Sequence, residues 1–118
     1  MKSPVELEIT ESAGAGRTAV LRLRGRLDAS TVSTLLERCA ALQGDGHNLV
    51  LNLAEVSFLG SSGVGAMLVL MEQFAERAGA VHFAAPSQAV RSVVDLLELG
   101  EHLSIHATED EAVRALAA

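Results

Sequence analysis

Apolar and polar residues alternate along the first part of the chain. Val5, Leu7 and Ile9 stand against Glu6, Glu8 and Thr10, which predicts a half-buried strand over Val5–Glu11. Small residues from Ala13 to Gly16 make a turn. Ala19, Leu21 and Leu23 then alternate with Val20, Arg22 and Arg24, so the two runs read as a hairpin at the edge of a sheet. The pattern breaks from Gly25 to Asp28. Val32, Leu35, Leu36, Cys39 and Leu42 follow at helical spacing, with Asp28 as the expected N-cap and Gly44–Gly46 as the stop.

Leu49–Leu53 is nearly all apolar, which suits a short central strand covered on both faces. A helix starts at Ser61 or Ser62. Val64, Met67, Leu68, Met71, Phe74 and Ala75 form its expected buried stripe, and Gly79 its C-terminal stop. Val81–Ala85 predicts another strand. Pro86 and Ser87 open a third helix with Val90, Val93, Val94 and Leu97 inward. Leu103–Ala107 predicts a last short strand. Thr108 and Glu111 have the spacing of a capping box ahead of Val113 and Leu116. The order β-β-α-β-α-β-α-β-α predicts one α/β domain over residues 1–118. Its sheet is mixed and mostly parallel, with an N-terminal antiparallel hairpin, right-handed crossovers and about four helices.

Composition narrows the function. Apolar residues make up 49% of the 118 positions but aromatics only 3%, with no Trp or Tyr. The core is therefore aliphatic, and stacking platforms for single-stranded nucleic acid are missing. A net charge of −6 argues against phosphate-backbone binding, so no nucleic-acid partner is expected. The basic run Arg22, Arg24, Arg26 has the alternate spacing of a strand's outer face. The single cysteine, Cys39, allows no internal disulfide and falls on the apolar stripe of the first helix. The longest apolar run, Ala66 to Met71, is too short to span a bilayer, and no signal peptide is visible. A cytoplasmic protein without membrane insertion is expected.

Catalytic chemistry finds little footing. His47, His82, His102 and His106 are scattered and make no ligand spacing with the cysteine, so no metal site is expected. Gly60, Gly63 and Gly65 are in the reverse order of a dinucleotide fingerprint, and no phosphate-loop lysine follows. No Ser, His and acid set forms a triad. No cofactor and no catalytic residue is expected. Attention falls instead on Ser61 and Ser62, where a strand turns into a helix. A serine there is a common helix cap. It is also a place where a phosphate is locally stabilised by unpaired backbone N–H groups. Gly60, Gly63 and Gly65 are expected to keep this turn open to a partner.

Three stretches resemble the STAS domain, most closely the stand-alone bacterial anti-sigma factor antagonists. GRLDAST (Gly25 to Thr31) is similar to the family's G-x-L-D turn into the first helix. LNLAEVSFLGSSGVG (Leu51 to Gly65) is similar to its central strand and D-S-S-G-L-G turn. LGEHLSIHATEDEAV (Leu99 to Val113) is similar to its last strand and helix. The resemblance implies regulation of transcription by protein–protein contact, without catalysis. In that family, the serine after the Asp is phosphorylated by an anti-sigma factor that is also a serine kinase. The unphosphorylated antagonist binds that partner and releases the sigma factor, and a serine phosphatase resets the switch.

Carried over by position, the phospho-acceptor is Ser61, with Ser62 the alternative. The implied partner surface comprises Asp28, Ser30, Phe58, Gly60, Ser61, Ser62, Gly63, Val64 and Gly65. Where the family has its Asp, this chain has Gly60. The resemblance also admits a second reading, a STAS scaffold subunit of a lipid-transport or stress-sensing assembly that is never phosphorylated.

Overall fold

The computed structural model describes residues 6–117. It contains β1 (Leu7–Ala13), β2 (Thr18–Leu27), α1 (Val32–Ala40), β3 (Asn48–Leu59), α2 (Ser61–Ala75), β4 (Val81–Ala84), α3 (Gln88–Leu96), β5 (Ile105–His106) and α4 (Glu109–Ala117). This is the order read from the sequence. The five strands lie side by side as β1-β2-β3-β4-β5. The β1–β2 hairpin is antiparallel, and the other three pairings are parallel. Of the first predicted strand, Val5 lies outside the described residues.

The alternation within the strands sorts side chains onto two faces. Leu21, Leu23, Leu49, Leu51, Leu53 and Phe83 point into the main core, where they meet Leu35 and Cys39 of α1, Met67, Leu70 and Phe74 of α2, and Val90 and Val94 of α3. The opposite face carries a smaller cluster, Val20, Val50 and Ala84, covered by Ala112, Val113 and Leu116 of α4. Arg22, at its margin, holds the start of α4 through a two-point bond to Glu109, at 2.9 and 2.8 Å. Cys39 is buried, and desolvation pushes its thiol up to about 12.

Several sequence expectations move. Asp28 does not cap α1, because the helix begins at Val32 with Thr31 at the cap position. The central strand does not stop at Leu53. It runs on to Leu59, because β2 extends beside it with two register shifts, one at the exposed pair Ala54–Glu55 and one at the exposed pair Ser57–Phe58. The stop after α2 uses Ala78 at positive φ, with Gly79 one position later donating its N–H to the Phe74 carbonyl at 2.8 Å. Gly79 is needed there because a Cβ would collide with the His47 carbonyl. His82 and His106, far apart in sequence, meet across β4 and β5 with ring nitrogens 2.9 Å apart.

The buried stripe of α2 is also rotated from its expected position. Leu70 is fully buried, whereas Leu68 is 41% exposed and Ala75 is exposed. Residues 66–71 are apolar on every side, so no polar residue there marks the outer face. Leu97 likewise falls outside α3, which ends at Leu96, and it is exposed rather than inward. Leu70→Ala is expected to cost about 3 kcal/mol by opening a core cavity, and Leu68→Ala less than about 1 kcal/mol. Denaturant unfolding of the two variants checks this; equal losses would restore the stripe expected from the sequence.

Candidate functional site

β2 and β3 run parallel and end together, with Leu27 opposite Leu59. The chain therefore leaves both strands at one edge, through Asp28 and through Gly60. The Gly60 N–H donates to the Leu27 carbonyl at 3.0 Å and holds the two exits side by side. After β2, the Asp28 carboxylate accepts from the Ser30 N–H at 3.0 Å and from the Ser30 hydroxyl at 2.8 Å. The same hydroxyl lies 2.9 Å from Glu6 Oε2. With one proton it serves one of these two carboxylates at a time. Thr31 is buried beneath, donating its hydroxyl to the Arg26 carbonyl at 2.9 Å. The Ser30 hydroxyl, helped by Arg26, holds the Asp28 carboxyl below its usual range against the opposing effect of desolvation.

After β3, Gly60 takes the N-cap position of α2 in extended geometry, and it has no side chain with which to cap. Neither serine is the cap. Ser61 and Ser62 are the first two helical residues, both exposed. The first turn carries no acidic residue. Its N–H groups and the positive end of the helix dipole thus face outward without a carboxylate from that turn.

The glycines differ in role. A Cβ on Gly63 would lie 2.6 Å from Leu59 Cδ1 and 2.7 Å from the Leu27 carbonyl, so α2 sits this close to the strands only with glycine there. Gly65 has open space around it. Gly63 and Val64, expected on the partner surface, are buried, because both face the strands that α2 packs on.

Phe58, 39% exposed, lies opposite Arg26 across the β2–β3 pair. The Arg26 guanidinium sits over the Phe58 ring, 4.3 Å from its centroid, and its Nε donates to Asp28 at 3.1 Å. A side chain at position 60 would start 3.2 Å from the Phe58 ring and 3.7 Å from Asp28 Cβ. Asp28, Ser30, Phe58, Gly60, Ser61 and Ser62 thus share one edge, with Gly65 a turn along α2. Leu68 and Val69, each 41% exposed, extend that helix face. Sequence reading missed Arg26, Glu6, Leu68 and Val69. For Arg26, the available signal was its two-residue spacing from Asp28. This edge offers two acids, a ring, a cation and three hydroxyls around an apolar strip, which are the parts of a protein-contact surface. Among the described residues no group of His, Cys, Asp or Glu could hold a metal ion, and no helix is long and apolar enough to cross a membrane.

Comparison with known proteins covers nearly the whole chain. The STAS domain model matches residues 6–112. An anti-sigma F factor antagonist from Lysinibacillus sphaericus is 35% identical over 98 residues, which are 81% of this chain and 83% of that protein. The anti-sigma factor antagonist SpoIIAA in its unphosphorylated form is 31% identical, with a TM-score of 0.77 over 93% of this chain and 96% of that one. The Bacillus cell fate determinant SpoIIAA in its phosphorylated form is 29% identical, with a TM-score of 0.71 over 92% of this chain and 99% of that one.

The unequal surroundings of the two helical glycines can be measured. Gly63→Ala is expected to cost about 2 kcal/mol through overpacking, whereas Gly65→Ala gains roughly 0.5–1 kcal/mol from helix propensity. Thermal melts that shifted in the same direction for both would contradict the packing described.

Proposed function

The chain belongs to the STAS domain family, and from that premise we propose that it is an anti-sigma factor antagonist switched by phosphorylation of Ser61. The observation that carries this reading is the exposed Ser61 on an α2 start with no acid in its first turn, directly after Gly60, which borders Asp28 and Phe58. A relative solved in both unphosphorylated and phosphorylated forms supports it.

In this reading the protein has no catalytic step of its own and works in the cytoplasm. Unphosphorylated, it docks the edge made by Asp28, Ser30, Phe58, Gly60, Ser61, Ser62 and Gly65 onto an anti-sigma factor, and the sigma factor is freed for transcription. The partner is also a serine kinase, and it transfers a phosphoryl group from its nucleoside triphosphate to Ser61 Oγ. The product carries about −1.5 to −2 charges and three acceptor oxygens at one spot. The helix N-terminus stabilises that group locally, so α2 stays folded while the contact surface becomes strongly negative. A loss of about 1.4 kcal/mol in docking weakens binding tenfold, so a modest repulsion suffices. A serine phosphatase resets the surface. Ser62, one residue further along α2, is the alternative acceptor.

Gly60 favours a second reading. Without a carboxylate next to the serine, a kinase has less to recognise, and the domain serves as an unmodified scaffold in a lipid-transport or stress-sensing assembly. A pull-down from native lysate with wild-type, Ser61→Ala and Ser61→Glu proteins separates the two. The switch predicts a kinase-like anti-sigma factor held by wild type and Ser61→Ala and lost by Ser61→Glu, at least tenfold. Identical partners on all three would exclude the switch and identify the scaffold's assembly.

A further inference from the structure

We propose that Arg26 reads the phosphorylation state of this edge: a phosphate on Ser61 draws its guanidinium away from Asp28 and Phe58. The inference rests on the reading of Ser61 as the acceptor, and it names the residue through which the phosphate reshapes the surface.

The starting state is a loosely used arginine. Arg22, on the same strand, engages Glu109 with two parallel bonds. Among the described residues, the Arg26 side chain makes one bond, from Nε to Asp28 Oδ2, and otherwise covers the Phe58 ring. Its side chain is 50% exposed. A guanidinium has five N–H donors in a fork that matches a carboxylate or phosphate two bonds at a time, so most of this fork is unused. A phosphoserine dianion offers the better acceptor, with more charge and three oxygens.

Asp28 does not need Arg26 to keep its place. The Ser30 N–H and hydroxyl hold it independently. Removing the guanidinium therefore leaves an ionised Asp28 on the surface, still held by the Ser30 N–H and, when its proton is not turned to Glu6, by the Ser30 hydroxyl. Gly60 supplies the path. The place where its side chain would start borders both the Phe58 ring and Asp28 Cβ, and it is empty. A carboxylate at that position would be a second acid beside Asp28, competing with the phosphate for Arg26. Its absence leaves the phosphate and Asp28 as the two competitors, and the phosphate carries more charge. The exchange also uncovers Phe58. One modification thus alters three groups of the edge, namely the hydroxyl at 61, the acid at 28 and the ring at 58.

The test uses the full chain with phosphoserine placed at position 61 during translation, followed by 31P NMR as pH is varied. In the otherwise wild-type protein, the second ionisation of the phosphate is expected about one pH unit lower than in Arg26→Gln, because a nearby cation favours the dianion. Arg24→Gln removes the same charge from the same strand and is the control; it is expected to leave the titration at the wild-type position. The Arg26 Nε–Hε signal should move on phosphorylation in a 15N spectrum. Equal phosphate titrations for wild type and Arg26→Gln would overturn the proposal, as would an equal shift in the Arg24→Gln control. The lysate pull-down with the phosphoserine protein reads the parent hypothesis separately. Unchanged partners there would defeat the switch while the titration still reports on Arg26, and lost partners with no Arg26 effect would defeat this proposal alone.

Discussion

One backbone carbonyl, that of Leu27, holds the exposed edge in register. It accepts the Gly60 N–H at 3.0 Å, and Gly63 packs directly against it. Leu27 and Leu59 are both buried, so this contact is anchored in the main core rather than in the turns it joins. A buried amide–carbonyl pair is costly to leave unmade. The exits from β2 and β3 are therefore tied together by the sheet itself. The placement of Gly60 beside Asp28, and of Ser61 directly after it, is inherited from strand pairing and from the missing Cβ at position 63, and does not depend on a flexible loop finding its position.

The two faces of the sheet then divide the work. The large aliphatic core beneath α1, α2 and α3 carries most of the burial. The opposite face has a small cluster under α4, with Arg22, Glu109 and Asn52 joined at its margin. Arg22, with Asn52 adding to it, holds the Glu109 carboxyl below its usual range, at the end of α4 where the helix dipole also favours a negative charge. A charge change at the start of α2 meets neither apolar cluster directly. It acts through side chains that are already half in solvent. A charge added there would therefore change the surface without unfolding the core.

The order and type of the elements were legible because strands and helices write different periods. Val20 to Arg24 alternate in twos, and Val32 to Leu42 recur in threes and fours. What was not legible depended on neighbours distant in sequence. Leu68 and Leu70 sit in a run of six apolar residues, so the rotation of α2 is decided by β3 and α1. The length of β3 is decided by its partner β2, whose register shifts leave no mark in the sequence of β3. Ser61 and Ser62 stood out as a strand–helix turn. That Gly60, not a serine, takes the cap position follows from the Leu27 carbonyl capturing its N–H. Arg26 looked like one of three outward arginines until the register put Phe58 opposite it.

Gly60 changes the electrostatics of the edge more than its chemistry. With an acid there, two carboxylates would start 3.7 Å apart at their Cβ positions, and a phosphate would add to a surface already negative. With glycine, Asp28 is matched by Arg26 and Glu6 alone is unbalanced, so the phosphate would be much the largest unbalanced charge of the edge. At an effective dielectric of about 20, a unit charge on a partner about 6 Å from a phosphate of one net charge feels about 3 kcal/mol. Screening removes part of that, since the Debye length in the cell is about 8 Å. Half of it still matches the about 1.4 kcal/mol needed for a tenfold change in affinity. A resting edge with one carboxylate fewer would therefore give a phosphate on Ser61 the greater contrast, at the cost of an acid a kinase could recognise.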